Sequence, residues 1–153
     1  AVTGVQTCAL PISAASGSDG SRIDGERMHD MDAATEAYEA YRRGTELLAA
    51  AHAHAAITPL ERARDLEPDQ GSIREALARA YFRAARFADA EVEFARALEI
   101  DPVNDYALFG LGLCRSRLGD PTGARGFLRR ALAMRPDSAH YRDALDALGP
   151  EAG

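Results

Sequence analysis

The sequence predicts an all-α fold, a stack of paired helices closed by a short C-terminal capping helix. Three observations carry that expectation. Prolines recur at Pro68, Pro102 and Pro136, each 34 residues after the last. Aligned on them, the blocks Ala37–Gln70, Gly71–Asn104 and Asp105–Ser138 share Ala in the twentieth place (Ala56, Ala90, Ala124) and the twenty-seventh (Ala63, Ala97, Ala131). Within the blocks apolar residues recur at helical spacing, and no segment alternates with the period of two that marks a half-buried strand. A fixed period of this length is the signature of stacked repeats.

Each block divides into two helices. In the middle block Ile73, Leu77, Ala80 and Tyr81 make an i, i+4, i+7, i+8 stripe over Ser72–Ala84. Phe87, Ala90, Phe94, Ala97 and Leu98 make a second stripe. The break between them falls near Ala85 and Arg86. In the third block it falls at Leu118 to Pro121, where Gly119 suits a left-handed C-terminal cap, Asp120 an N-cap and Pro121 the first helical position. The recurring prolines end each second helix, because the residue before Pro is pushed out of helical geometry. Pro59 lies inside the second helix of the first block and is expected to kink or loosen it, which makes the first repeat the weakest. After Pro136, Tyr141, Ala144, Leu145 and Leu148 share one face, with Arg142, Asp143 and Asp146 opposite. That is an amphipathic cap over Ala139–Leu148, begun by Asp137 or Ser138 and ended at Gly149 and Pro150.

Upstream of the blocks the chain reads differently. Val2 to Ile12, VTGVQTCALPI, matches the translation of a common sequencing-library adapter over eleven codons and is read as non-native, with residues 1–13 set aside. The rival, a secretory signal, lacks a basic n-region and a long apolar core. Residues 14–31 are poor in apolar side chains and are expected to be disordered, with Met28 or Met31 a plausible start. The repeat domain is expected over 32–148, with 149–153 as a tail.

Composition narrows the function. A chain of 153 residues, 46% hydrophobic and 27% charged, has room for one domain with a core. A net charge of −6 argues against a nucleic-acid backbone as partner. No apolar run reaches the roughly 20 residues of a membrane-spanning helix, so no membrane partner and a cytoplasmic location are expected. Cys8 and Cys114 make neither a disulfide framework nor a metal site. Ala occurs 32 times and all 18 basic residues are Arg, the codon usage of a GC-rich, bacterial genome.

Catalytic chemistry finds little support. His52 and His54 are two residues apart, which on a helix separates them by about 200° and prevents a shared metal. His29 lies in the upstream region and His140 on the cap. Cys114 sits mid-helix with no base beside it in sequence and reads as a small buried hydrophobe. Glu91, Glu93, Asp143 and Asp146 read as solvated helix faces. No phosphate-binding glycine loop or metalloprotease motif occurs. The expectation is no enzyme, no metal and no cofactor.

The 34-residue helix pair resembles the tetratricopeptide repeat over Ala37–Ser138. The residues that carry the likeness are small ones in the eighth place (Gly44, Ala78, Gly112), bulky ones in the twenty-fourth (Leu60, Phe94, Leu128), and the alanines already named. Tyr81 in the eleventh place and Phe87 in the seventeenth make the middle block nearly ideal. Departures are Ala40, Arg74 and Leu108 where the family often has Trp, and Arg115 where the third repeat should carry Tyr. The stem of Arg115 is expected along the core edge with its head in water.

The resemblance implies a right-handed solenoid of three repeats whose first helices line a concave ligand face. The family's contact places fall on Tyr38, Tyr41, Thr45, Leu48 and Ala49, then Ser72, Glu75, Arg79, Phe82 and Arg83, then Tyr106, Phe109, Leu113, Ser116 and Arg117. Five of the chain's ten aromatics are in this set. The implied function is a non-catalytic module that binds a protein or peptide through Tyr38, Tyr41, Thr45, Arg79, Phe82, Arg83, Tyr106, Phe109, Leu113 and Arg117, the arginines selecting acidic groups. Family members that grip chaperone C-terminal carboxylates use a Lys/Asn/Arg clamp. Its places here hold Tyr41, Thr45, Ala76, Tyr106 and Gly110, so that partner is disfavoured. A second reading makes the chain a fragment of a larger protein, with the same face an internal or oligomeric interface. A third is self-association through the Ala-rich first repeat.

Overall fold

A computed structural model describes residues 20–151 of the chain. The adapter-like segment and Cys8 lie outside the described residues. Seven helices are found there and no strand: α1 Gly20–Ala49, α2 Ala53–Leu66, α3 Gly71–Arg83, α4 Phe87–Ile100, α5 Asp105–Arg117, α6 Pro121–Met134 and α7 Ala139–Asp146. The chain divides into two units, Ala1–Thr35 and Glu36–Gly153.

In the first unit, residues 20–31 are helical, where disorder was expected. Low apolar content governs whether a segment can bury surface. It does not stop Glu, Arg, Met and Ala from extending a helix that is already nucleated downstream. The Thr35 hydroxyl is turned back onto the Met31 carbonyl at 2.9 Å.

In the second unit the repeat is written into two alternating turns. Within each helix pair the fifteenth residue takes a left-handed backbone: Ala51 (φ 63°), Ala85 (φ 59°) and Gly119 (φ 85°). Each closes the same pair of hydrogen bonds, as in Arg86 N–H to the Tyr81 carbonyl at 2.8 Å and Ala85 N–H to the Phe82 carbonyl at 3.0 Å. These are Schellman caps, which satisfy carbonyls the helix end would otherwise leave open. Between pairs, Pro68, Pro102 and Pro136 sit second in a four-residue turn, closed for example by Asn104 N–H to the Asp101 carbonyl at 3.1 Å. The helices after Pro102 and Pro136 then start on a side-chain cap, whereas α3 after Pro68 does not. Asn104 Oδ1 accepts from Ala107 N–H at 2.8 Å, and the Ser138 hydroxyl accepts from Tyr141 N–H at 3.4 Å. Asp120 accepts from Gly123 N–H at 2.8 Å, with Pro121 as the first helical residue.

The core sits between neighbouring helices and is narrow by construction. Ala56, Ala90, Ala124, Ala63, Ala97 and Ala131 are all fully buried, and Leu60, Phe94 and Leu128 fill the layer beside them. Gly112 is held to its size. A Cβ there would lie 2.6 Å from Leu128 Cγ and 3.2 Å from the Ala124 carbonyl, and one on Gly44 would strike Leu60. The C-terminal helix closes the stack through Tyr141, which is buried, stacks on Phe109 at 4.7 Å and donates to Asp105 Oδ2 at 2.6 Å.

α2 is continuous through Pro59, from Ala53 to Leu66, with Ala56, Leu60 and Ala63 fully buried. The carbonyl that Pro59 leaves unpaired belongs to Ala55 on the exposed side, where water can reach it. Glu93 is no solvated face residue. It is 4% exposed and accepts from Arg64 at 3.0 Å and Arg74 at 2.8 Å. Arg74, in the place the family gives to Trp, thus fills the interface with a charge-assisted pair. Arg115 pairs with the half-buried Glu91 and with Asp120 at 3.3 Å, so its head is held rather than free in water.

Candidate peptide-binding groove

Two helices supply the groove. On α3, Glu75, Arg79, Phe82 and Arg83 recur at helical spacing on the face opposite the buried Ile73, Leu77 and Ala80. On α5, Tyr106, Phe109, Gly110, Leu113 and Arg117 do the same opposite Leu108, Leu111 and Cys114. Apolar residues therefore occupy both faces of α5, a pattern expected of a helix covered all round. Yet Tyr106, Phe109 and Leu113 are each only half-buried.

The two stripes meet at a cavity of about 80 Å³, lined by Arg79, Phe82, Arg83, Phe94, Tyr106, Phe109, Gly110 and Leu113. Six of the ten expected site residues converge there. Phe94 reaches it from the core, because Gly110 has no side chain and a Cβ on it would strike the Phe94 ring. Phe94 and Tyr106 meet edge to face at 6.1 Å, and Tyr106 lies 6.2 Å from Phe109. Arg117 sits beside the cavity over Phe82 and Phe87, 5.8 and 5.7 Å from the ring centres.

Among the described residues no carboxylate lies within 4 Å of the Arg79, Arg83 or Arg117 guanidinium groups, nor of those of Arg43, Arg130 and Arg142 elsewhere, while ten other arginines are paired. Glu75, one turn before Arg79, is engaged by the Asn104 amide at 2.7 Å. Arg83 gives one N–H to the Leu48 carbonyl at 2.9 Å, and Arg79 Nε is buried without a partner. Burial pushes the Tyr106 phenol above its ordinary range, so it stays a neutral donor.

The α1 residues stand apart from the cavity. Tyr38 is 64% exposed, and Tyr41 packs partly against the core. The Thr45 hydroxyl is spent on the Tyr41 and Arg42 carbonyls at 3.1 and 2.9 Å. None of the three lines the cavity. Leu48, a family contact place, is a core residue at 4% exposure. Sequence spacing missed Phe94, which reads as a core position; it joins the groove only through the missing Cβ of Gly110, one of the family's clamp places.

No group of three metal-ligating side chains gathers among the described residues, and His52, His54 and His140 are separately exposed. Cys114 is fully buried, and burial with the nearby Glu91 carboxylate pushes its thiol up to about 12. No described helix is long and apolar enough to cross a membrane.

The second repeat domain of human RPAP3, solved with the HSP70 peptide SGPTIEEVD, superposes with a TM-score of 0.73 at 18% identity, over 78% of this chain and 99% of that one. The Arabidopsis OM64 TPR domain superposes with a TM-score of 0.73 at 21% identity, over 76% and 96%. At these identities the likeness is one of fold. The cellulose synthase 2 operon protein C of Komagataeibacter xylinus is 44% identical over 62 residues, which are 40% of this chain and 5% of that protein. The matched chain thus spans a small part of that relative's length. The tetratricopeptide repeat model matches residues 41–105 and again 76–139, together well over half the chain. With its period, its alanine layers and its turns all of that kind, the chain belongs to the tetratricopeptide repeat family.

Proposed function

We propose that the protein is a non-catalytic interaction module that holds a peptide or partner helix in the groove between α3 and α5. The observation that carries this is the second apolar face of α5. Tyr106, Phe109 and Leu113 are left half open above a core that is already closed, and unpaired arginines rim them. Tyr38, Tyr41, Thr45 and Arg117 extend the contact surface on either side. The tails of chaperones are disfavoured, since the clamp places hold Tyr41, Thr45, Ala76, Tyr106 and Gly110, and Thr45 has no hydroxyl proton to spare. Net charge disfavours nucleic acid, and a buried free Cys114 suits a reducing cytoplasm.

A peptide array probed with the whole chain tests the reading, beside a Tyr41→Ala/Phe82→Ala/Phe109→Ala variant shown by circular dichroism to be helical. Selection of a common motif that the variant loses supports the groove. Equal binding by both proteins, or none by either, overturns it. A second reading makes this face an interface inside a larger protein. It draws on the Komagataeibacter relative, of which the matched stretch is one-twentieth.

A further inference from the structure

We infer that the groove selects an internal acidic segment carrying one branched aliphatic side chain, which enters the cavity while flanking carboxylates bind Arg79, Arg83 and Arg117. This rests on the groove reading and specifies its ligand.

Size argues for the aliphatic anchor. The cavity of about 80 Å³ is roughly half the 150 Å³ that holds a benzene ring in a dry protein interior. Its walls are the rings of Phe82, Phe94, Tyr106 and Phe109, with the Phe94 ring seated on Gly110. A Leu, Ile or Val tip fits there. An aromatic ring does not, and Ala leaves it largely empty.

Charge argues for the acidic flanks. The chain carries 24 acidic residues against 18 arginines, so a stretch of surface with three guanidiniums and no paired carboxylate runs against the composition. Arg79 and Arg83 are one turn apart on α3 and line the cavity, while Arg117 reaches from α5 over Phe82 and Phe87 beside it. A chain-terminal carboxylate offers one point of charge. Side-chain carboxylates spaced along an extended segment match three separated forks, and Arg presents each as paired donors.

The test is fluorescence anisotropy with the whole chain and a labelled peptide, blocked at both ends, in which one leucine is flanked on each side by two glutamates. Replacing the leucine by alanine or tryptophan, or the glutamates by glutamines, should weaken binding about tenfold or more. Arg79→Gln should do the same to the parent peptide and have little effect on the glutamine peptide. Arg79→Lys should recover only part of the loss, because it keeps charge without the fork. A free C-terminal carboxylate should change affinity less than twofold. If array peptides bind in a manner abolished by Phe82→Ala but are neutral, or need a free chain end, this inference fails while the groove reading stands. If no array peptide depends on Phe82, both fail.

Discussion

The first repeat and the two that follow use the same helices in the same register, yet at the third and seventh places they carry opposite chemistry. In the second and third repeats these places hold Ile73 and Leu77, then Ala107 and Leu111, all buried. In the first they hold Glu39 and Arg43, both exposed. The helix does not decide residue type here; the presence of a neighbouring helix pair does. A stacked array needs apolar faces only where another pair covers them, and polar ones at an uncovered end.

The most severe way to break that contrast is to give an interior face the chemistry of the first. Leu77→Arg puts a charge where nothing is exposed and no carboxylate is placed to receive it, and should cost about 4 kcal/mol or more. Urea unfolding followed by circular dichroism would find most of the chain unfolded. A midpoint within experimental error of wild type would show that the second repeat tolerates an open face.

The eighth place comes next in size. Gly112→Ala forces a methyl against Leu128 and the Ala124 backbone and should cost about 1–3 kcal/mol. Gly44→Ala drives its methyl onto Cγ of the fully buried Leu60 and should cost a similar amount, so the midpoints of both variants should fall.

The eleventh place separates the repeats by pH. It holds Leu47, Tyr81 and Arg115, and burial with the hydrogen bond to Glu61 pushes the Tyr81 phenol from its ordinary 10 up to about 12. A raised folded value means that Tyr81 stabilises the fold fully below pH 10 and progressively less up to about 12. The Cys114 thiol, raised from 9 to about 12, acts in the same direction. Thermal midpoints should be flat from pH 7 to 9 and fall above that, and Tyr81→Phe should flatten part of the fall.

At the fifteenth place the repeats share one conformation but not one residue. Ala85 and Ala51 hold left-handed backbones that cost an L-residue about 1 kcal/mol, while Gly119 holds its own without strain. Ala85→Gly should therefore stabilise, and Gly119→Ala should destabilise by a similar amount. Smallest in free energy is the reverse exchange at the open face. Glu39→Ile/Arg43→Leu should leave the melting curve of dilute protein within about 0.5 kcal/mol, but light scattering should reveal concentration-dependent self-association.

What the sequence disclosed follows the same logic. Pro68, Pro102 and Pro136 were legible because a proline's effect on the backbone is local, and the alanines because close helix approach admits little else. Ala51 and Ala85 were not, since Ala is a helix former and the turn is imposed by the bonds that close it. Glu93 was hidden because its partners, Arg64 and Arg74, lie 29 and 19 residues away on two other helices. In the groove, the α3 and α5 stripes were visible as spacing. That Tyr38, Tyr41 and Thr45 stand outside the cavity follows from its lying between α3 and α5, which no spacing encodes.

That carboxylate also fixes the order in which the array comes apart. Glu93 of α4 is tied to Arg64 of α2 and Arg74 of α3, so peeling the first helix pair away would take one of the two guanidiniums from this buried carboxylate. At the other end α7 is anchored through a single buried side chain, Tyr141, with its ring on Phe109 and its phenol on Asp105, and among the described residues no buried ion pair ties it down. Fraying starts at the tail, and amide protons of α7 exchange well before those of α2.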